Sequence, residues 1–376
     1  MLNITRALFN AYVSQVALLN NVPSATDKFN VAPAVEQRLE AKMAESSEFL
    51  QAINVVPVIN QTDVTLGLGT TRTIAGRTDT SGAGERDATD PTGSSQINTY
   101  TCRQTNFDWA QRYALLDAWR HRPDFQTLMR DAILAQQARD RIMIGWNGTS
   151  VAATTDRVAN PMLQDVNEGW LHKIRTRAPA QVFNDGNLTV ETDGTNNAAL
   201  KAIYIKPDVE LFDAEAAYNA TGGSASADAD YSSLDALVLD AKRMLPTWYR
   251  TRTDLVVIVG QDLVDDKYFT IAQKTGATAT EVEATDRIIR STKQLGGLEA
   301  VMVPFFPADA ILITTLSNLS IYVQEGTRRR QLADEPKKDR IANYESVNED
   351  YVVEDYELVV LVENIVIGGA PARPAP

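Results

Sequence analysis

Residues 123–148, PDFQTLMRDAILAQQARDRIMIGWNG, set the architecture. Pro123 suits a first helical turn because it has no N–H to leave unsatisfied there. Phe125, Leu128, Met129, Ala132, Ile133, Ile142, Met143 and Trp146 then recur at helical spacing, and Asn147-Gly148 supplies the stop. The spacing predicts one helix over 123–146, about 36 Å long at 1.5 Å per residue, enough to form the backbone of a domain. The stripe thins at Gln136 and Arg139, so the middle is expected near a surface.

Upstream, the period changes. Val64, Leu66 and Leu68 alternate with polar residues, and alternation resumes at Asn98, Tyr100 and Cys102, as in two arms of a hairpin. Between them, residues 75–95 hold four glycines among Asp, Thr and Ser. A tip of that length exceeds ordinary hairpin loops, and is either disordered or ordered by a partner. Before the hairpin, Pro33 opens a second helix with Val35, Leu39, Met43, Leu50 and Ile53 on one side, ending at Val55-Val56-Pro57. A shorter amphipathic helix places Phe9, Tyr12, Val13, Val16 and Leu19 together and breaks at Asn20–Pro23.

Downstream, residues 186–230 are rich in Asn, Asp, Ala, Gly and Ser around an apolar island, Ile203–Ile205, and read as an insertion. Leu234, Leu237, Val238 and Ala241 predict a helix. Leu255–Val259, Val301–Phe306, Ile311–Ile313 and Leu319–Val323 predict strands, and Tyr351–Val353 and Leu358–Val362 two extended segments. Helices and strands mix in an α+β or compact α/β arrangement. Glu345, Glu349, Asp350, Glu354, Asp355 and Glu357 alternate with Tyr and Val, so they are expected on solvated or interface-facing strand positions.

Composition narrows the function. Hydrophobic residues make up 44% of the 376, enough for a sizeable core. Lys and Arg number 36 against 49 Asp and Glu, a net charge of −13 that disfavours wrapping a phosphate backbone. A single cysteine, Cys102, rules out an intrachain disulfide framework, and no apolar run reaches the length of a membrane span. With only His121 and His172 beside that thiol, a Cys/His zinc site is excluded by count, and no metal is expected. His121 stands between Arg120 and Arg122, whose charge opposes the imidazolium a general base must form. Leu255–Gly260 imitates a dinucleotide-binding strand, but Gln261-Asp262-Leu263 follow where phosphate-loop glycines would be needed, and no cofactor is expected. Arg328, Arg329 and Arg330 are expected to pair with carboxylates across a loop or a subunit contact.

Several longer phrases run in order along the chain: Phe9-Asn10-Ala11-Tyr12, Glu45–Leu50, Asn54–Val58, Asn160–Val166 with Gly169-Trp170-Leu171, Asp254–Gly260, Phe306–Ala310, Asn343–Ser346 and Asp350–Tyr356. In these the chain resembles the major capsid proteins of tailed phages of the P2 type.

The resemblance implies the α+β Hong Kong 97-type shell fold and a structural, non-enzymatic role. It places a precursor segment at 1–31, an N-terminal arm at 32–60, an extended hairpin loop at 61–104, and a peripheral domain at 105–175 with its spine helix at 123–146. An axial domain takes 176–334, return strands of the peripheral domain 335–368, and a flexible tail 369–376. Cutting by a phage scaffold-protease is expected near Phe29, Asn30, Val31 and Ala32. Hexamers and pentamers of the chain would form an icosahedral head shell, assembled in the bacterial host cytoplasm and retained in the virion. The implied partners are the scaffold-protease, the portal, a decoration protein in some relatives, and packaged double-stranded DNA touched weakly. Other shells of the same fold, such as encapsulin-like compartments or prophage-derived particles, stay open as alternatives. Some shells of this fold weld subunits through a Lys in the extended loop, but residues 61–104 contain no Lys. Arg72, Arg77, Asp79, Glu85 and Arg86 are instead the expected inter-subunit contacts of the loop, with Arg328, Arg329 and Arg330 beside them.

Overall fold

The computed structural model describes residues 1–65, 74–81, 85–88, 98–119, 125–185, 202–205, 230–264 and 293–367. The α-helices among them include α1 (Asn3–Asn20), α2 (Pro33–Glu45), α3 (Glu48–Ala52), α4 (Tyr113–Trp119), α5 (Phe125–Asn147), α6 (Trp170–Arg177), α7 (Leu234–Ala241) and α8 (Thr247–Arg250). None is long and apolar enough to cross a membrane. The strands are β1 (Phe29–Asn30), β2 (Asn54–Val58), β3 (Thr62–Val64), β4 (Thr99–Thr101), β5 (Arg103–Asn106), β6 (Trp109–Arg112), β7 (Val182–Phe183), β8 (Ile203–Ile205) and β9 (Val256–Val259). They continue with β10 (Gln294–Leu295), β11 (Leu298–Met302), β12 (Ile311–Thr314), β13 (Leu319–Gln324), β14 (Arg329–Glu335), β15 (Arg340–Val353), β16 (Val360–Val362) and β17 (Ile365–Ile367).

Two compact units result, each made of three chain segments: 1–45, 55–135 and 320–355 in the first, and 46–54, 136–319 and 356–376 in the second. In the first, a sheet runs β1-β14-β15-β13-β2, and both β5 and β6 pair with β15. Its fourteen-residue strand β15 alternates charged, amide and apolar residues with no Gly or Pro inside it, so Glu345, Glu349 and Asp350 lie on one continuous strand rather than before a short extended piece at Tyr351–Val353. The expected hairpin is present as β3 against β4, with Asp63 opposite Tyr100. Leu66 and Leu68 lie outside the described residues.

In the second unit a six-stranded sheet runs β10-β11-β9-β12-β16-β7 around the fully buried Val257–Val259. The α7 residues Leu234, Leu237, Val238 and Ala241 pack on it, and Ser233 caps the helix by accepting the Ala236 N–H at 3.2 Å. β8 and β17 pair in parallel beside it. The strand expected at Val301–Phe306 is instead Leu298–Met302: Pro304 has no N–H for a ladder, and Phe305 turns to a left-handed φ of 65°.

The two compact units are bounded elsewhere than at the expected limits of 176, 334 and 368. Residues 320–334 belong with the N-terminal segments because β13 and β14 are sheet neighbours of β15, and 356–367 belong with the middle of the chain because β16 pairs with β12. The arm expected at 32–60 is likewise shared, 46–54 falling in the second unit. Most of the 186–230 insertion, the tail at 369–376 and Pro123 lie outside the described residues.

Candidate assembly surfaces

The charged groups of the first unit are arranged around α2. Pro33 starts that helix as expected, and Met43 faces inward on it. Four residues apart on the same helix stand Glu36 and Glu40, a like-charge spacing that an isolated helix disfavours. Both face other parts of the unit. Arg328, only 1% exposed, reaches Glu40 at 2.6 Å and Glu345 of β15 at 2.6 Å, and so holds α2 to the sheet through two carboxylates. Arg330 donates to Asn343 Oδ1 at 2.6 Å and to the Tyr12 hydroxyl at 3.2 Å, fixing α1 to the same sheet. Arg329, the middle member of the triplet, is exposed. Of the three arginines expected at subunit contacts, two are thus spent inside the subunit. Pairing across a loop describes Arg328; only Arg329 presents its charge outward.

The acidic stretch is corrected in the same way. Glu345, Glu349 and Asp350 are buried rather than solvated. Each has donors that make burial tolerable: Arg328 for Glu345, the Tyr351 hydroxyl at 3.1 Å for Glu349, and the Thr101 N–H at 3.0 Å for Asp350. Glu354 accepts from Ser320 Oγ at 2.6 Å and the Tyr322 hydroxyl at 3.0 Å. Burial alone pushes the Glu345 carboxyl up, but the guanidinium of Arg328, with Arg330 behind it, outweighs burial and holds it below its ordinary value.

Glu36 was not singled out by the sequence pattern and is the exception among these acids. Its Oε2 accepts the Gly326 N–H at 3.4 Å, and its buried Oε1 has no hydrogen-bond partner. Desolvation pushes its carboxyl up; the Gly326 N–H and Arg328 oppose that, while Glu40 and Glu325 add to it. The signal that could have found it is the Glu36/Glu40 pair itself, beside the apolar side of α2.

The expected cleavage region is folded into the unit. Phe29 and Asn30 pair with Arg330 and Arg329 across β1 and β14, and Phe29 and Val31 are buried against Val16, Ala17 and Leu332. The Val31 N–H donates to the Arg328 carbonyl at 2.9 Å and the Ala32 N–H to Asn20 Oδ1 at 3.1 Å. In the loop, Arg77, Glu85 and Arg86 are exposed on the described stretches 74–81 and 85–88, and Arg72 lies outside them. Asp79 is engaged locally: Ser81 donates to its Oδ1 from Oγ at 2.5 Å and from the backbone at 2.9 Å, which holds its carboxyl below the usual range. The structure does not bring the loop residues together with the Arg328–Arg330 cluster in any described contact.

Residues 8–365 match the family described as phage major capsid protein, P2 family. The chain belongs to that family. It is 46% identical over 374 residues, 98% of this chain and 97% of the relative, to the "Capsid proteins" of Escherichia phage P2. It is 37% identical over 371 residues, 97% of both, to the "Major capsid protein" of Serratia phage KSP20. Among solved structures it is similar, with a TM-score of 0.76 and 43% identity over 99% of this chain and 100% of the other, to a chain of "Satellite phage P4 procapsid including size determination (Sid) protein". The P2-family capsid protein therefore carries the Hong Kong 97-type α+β shell fold expected from its sequence. Its folded-in arginines and acids are the internal frame of a shell subunit, and Arg77, Arg86 and Arg329 are exposed cations on its outside.

Proposed function

We propose that this major capsid protein is a structural subunit that self-associates into hexamers and pentamers of an icosahedral phage head enclosing double-stranded DNA. The observation that carries this reading is the 43% identity to a procapsid chain over 99% of the sequence, with the fold retained. The charge of −13 is compatible with it, since a chain without excess positive charge has no overall tendency to grip packed DNA. Assembly uses a scaffold-protease and a portal, with a decoration protein where the phage encodes one. Cutting near Phe29–Ala32 is part of the proposal, and the burial of Phe29 and Val31 in an edge strand means that β1 must leave β14 before a protease can bind the segment in extended form.

Negative-stain microscopy of the chain expressed with and without its scaffold-protease, with N-terminal sequencing of the particles, tests both statements. Closed shells or capsomer rings are expected, and with the protease a new N-terminus between residues 30 and 33. A uniform monomer under both conditions overturns the assembly reading, and shells that keep Met1 in the presence of active protease overturn the cleavage reading.

A further inference from the structure

Beside α2, the first unit has a groove of about 280 Å³, whose walls are apolar at Ala41, Val55 and Pro57 and whose carboxylates are Glu36, Glu40 and Glu325. Glu40 is answered by Arg328. Glu36 lines the same groove while 95% buried, with one oxygen lacking any donor and the other reached only by a long N–H contact. A buried acceptor without a donor is uncommon in a folded protein, and this one belongs to a residue that lines a groove with two further carboxylates. The complement is a cation on an aliphatic stem: the stem lies along Ala41, Val55 and Pro57, and the head meets Glu36 and Glu325. An arginine satisfies both requirements, its forked guanidinium bridging two carboxylates as Arg328 already does nearby.

The chain carries arginines that present their charge outward among the described residues. Arg77 and Arg86 are exposed, make no ion pair among the described residues, and stand on stretches outside any helix or strand. Residues 61–104 contain no Lys, so an arginine is the cation that this loop can deliver. We propose that in the assembled shell the groove beside α2 receives Arg77 or Arg86 from the extended loop of a second copy of this chain. The inference rests on the shell-forming reading above.

The single native cysteine, Cys102, is fully buried, so introduced cysteines report cleanly. Shells carrying Glu325→Cys with Arg77→Cys, and shells carrying Glu325→Cys with Arg86→Cys, are oxidised mildly and run on non-reducing gels. At least one is expected to give a ladder of linked subunits, while Glu325→Cys with Arg38→Cys, whose second site is outside the groove, gives none. Monomer bands from both loop pairs in intact shells, or a ladder as strong from the Arg38 control, overturn the proposal. If the double variants do not assemble, Glu36→Gln decides: unassembled subunits should melt no lower than the native chain, and shells should melt several degrees lower. Shells of unchanged melting temperature, or weakened subunits, overturn it. Absence of native shells by microscopy is the separate failure of the assembly reading and removes this inference with it.

Discussion

Arg328 shows how much one buried side chain can hold. Its guanidinium is shielded from water and joins α2 to β15 through Glu40 and Glu345, so truncation leaves two carboxylates facing each other in a partly dry environment. Removing one partner of a buried pair costs about 3–5 kcal/mol. Arg328→Ala is therefore expected to lower subunit stability by about that amount in urea unfolding, whereas Arg329→Ala, on an exposed side chain, should change it by less than about 0.5 kcal/mol. The two nearby acids titrate with opposite effects. Glu345 is held low in the fold, so its contribution is complete above its unfolded value and is lost as pH falls through the folded one. Glu36 is held high, so its charge burdens the fold at neutral pH and that burden disappears on protonation. Glu36→Gln should accordingly stabilise unassembled subunits at pH 7, and urea midpoints should converge with those of the native chain below about pH 4.5, the ordinary value for the group.

Among the elements, α5 was the most legible, and its last two turns explain why it must be helical there. Trp146 stacks near Phe49 at 5.3 Å, Trp170 at 4.9 Å and Phe306 at 5.0 Å between ring centroids, all within the second unit. The phrases around Phe49, Gly169-Trp170 and Phe306 that mark the resemblance are the walls of this aromatic cluster, which a one-dimensional pattern cannot reveal. Gly145 lets the cluster close: a Cβ there would lie 2.3 Å from the Trp170 ring. Gly145→Ala is expected to destabilise the subunit by about 1–3 kcal/mol, read as a lower unfolding midpoint with loss of near-ultraviolet circular dichroism from the tryptophans. Strand β9 and helix α7 were equally legible, because a run of Val and Ile and a 3.6-residue stripe are local signals. Alternation along β15 does not say which face is dry, because the burial of Glu345 and Glu349 depends on Arg328 and Tyr351. The strand expected at Val301–Phe306 ends at Met302 because Pro304 offers no N–H to a ladder, a stop signal stronger than the apolar run around it.

For the whole molecule, composition excluded more than it identified. Scarce His and Cys leave few groups for acid–base or metal chemistry, and the ordered phrases carry the likeness to a shell protein, while membership of the two compact units depends on pairings between distant segments that no local pattern encodes. The charge of −13 carries its own expectation: unassembled subunits should leave double-stranded DNA unshifted in gels run at about 0.15 M salt, and retardation there would mean a cationic face that the sum conceals.

The pairing of Phe29 with Arg330 sets a timetable for synthesis. At about 5–20 residues per second, a ribosome takes about 15–60 s to travel from one to the other, and through that interval the arm and α2 wait for the strands against which they close. A nascent subunit thus lacks the β14 edge and the Arg328 tether until nearly all of it has been translated. Polysome-bound chains should consequently be poor recruits for a growing shell, and assembly draws on released, completed subunits.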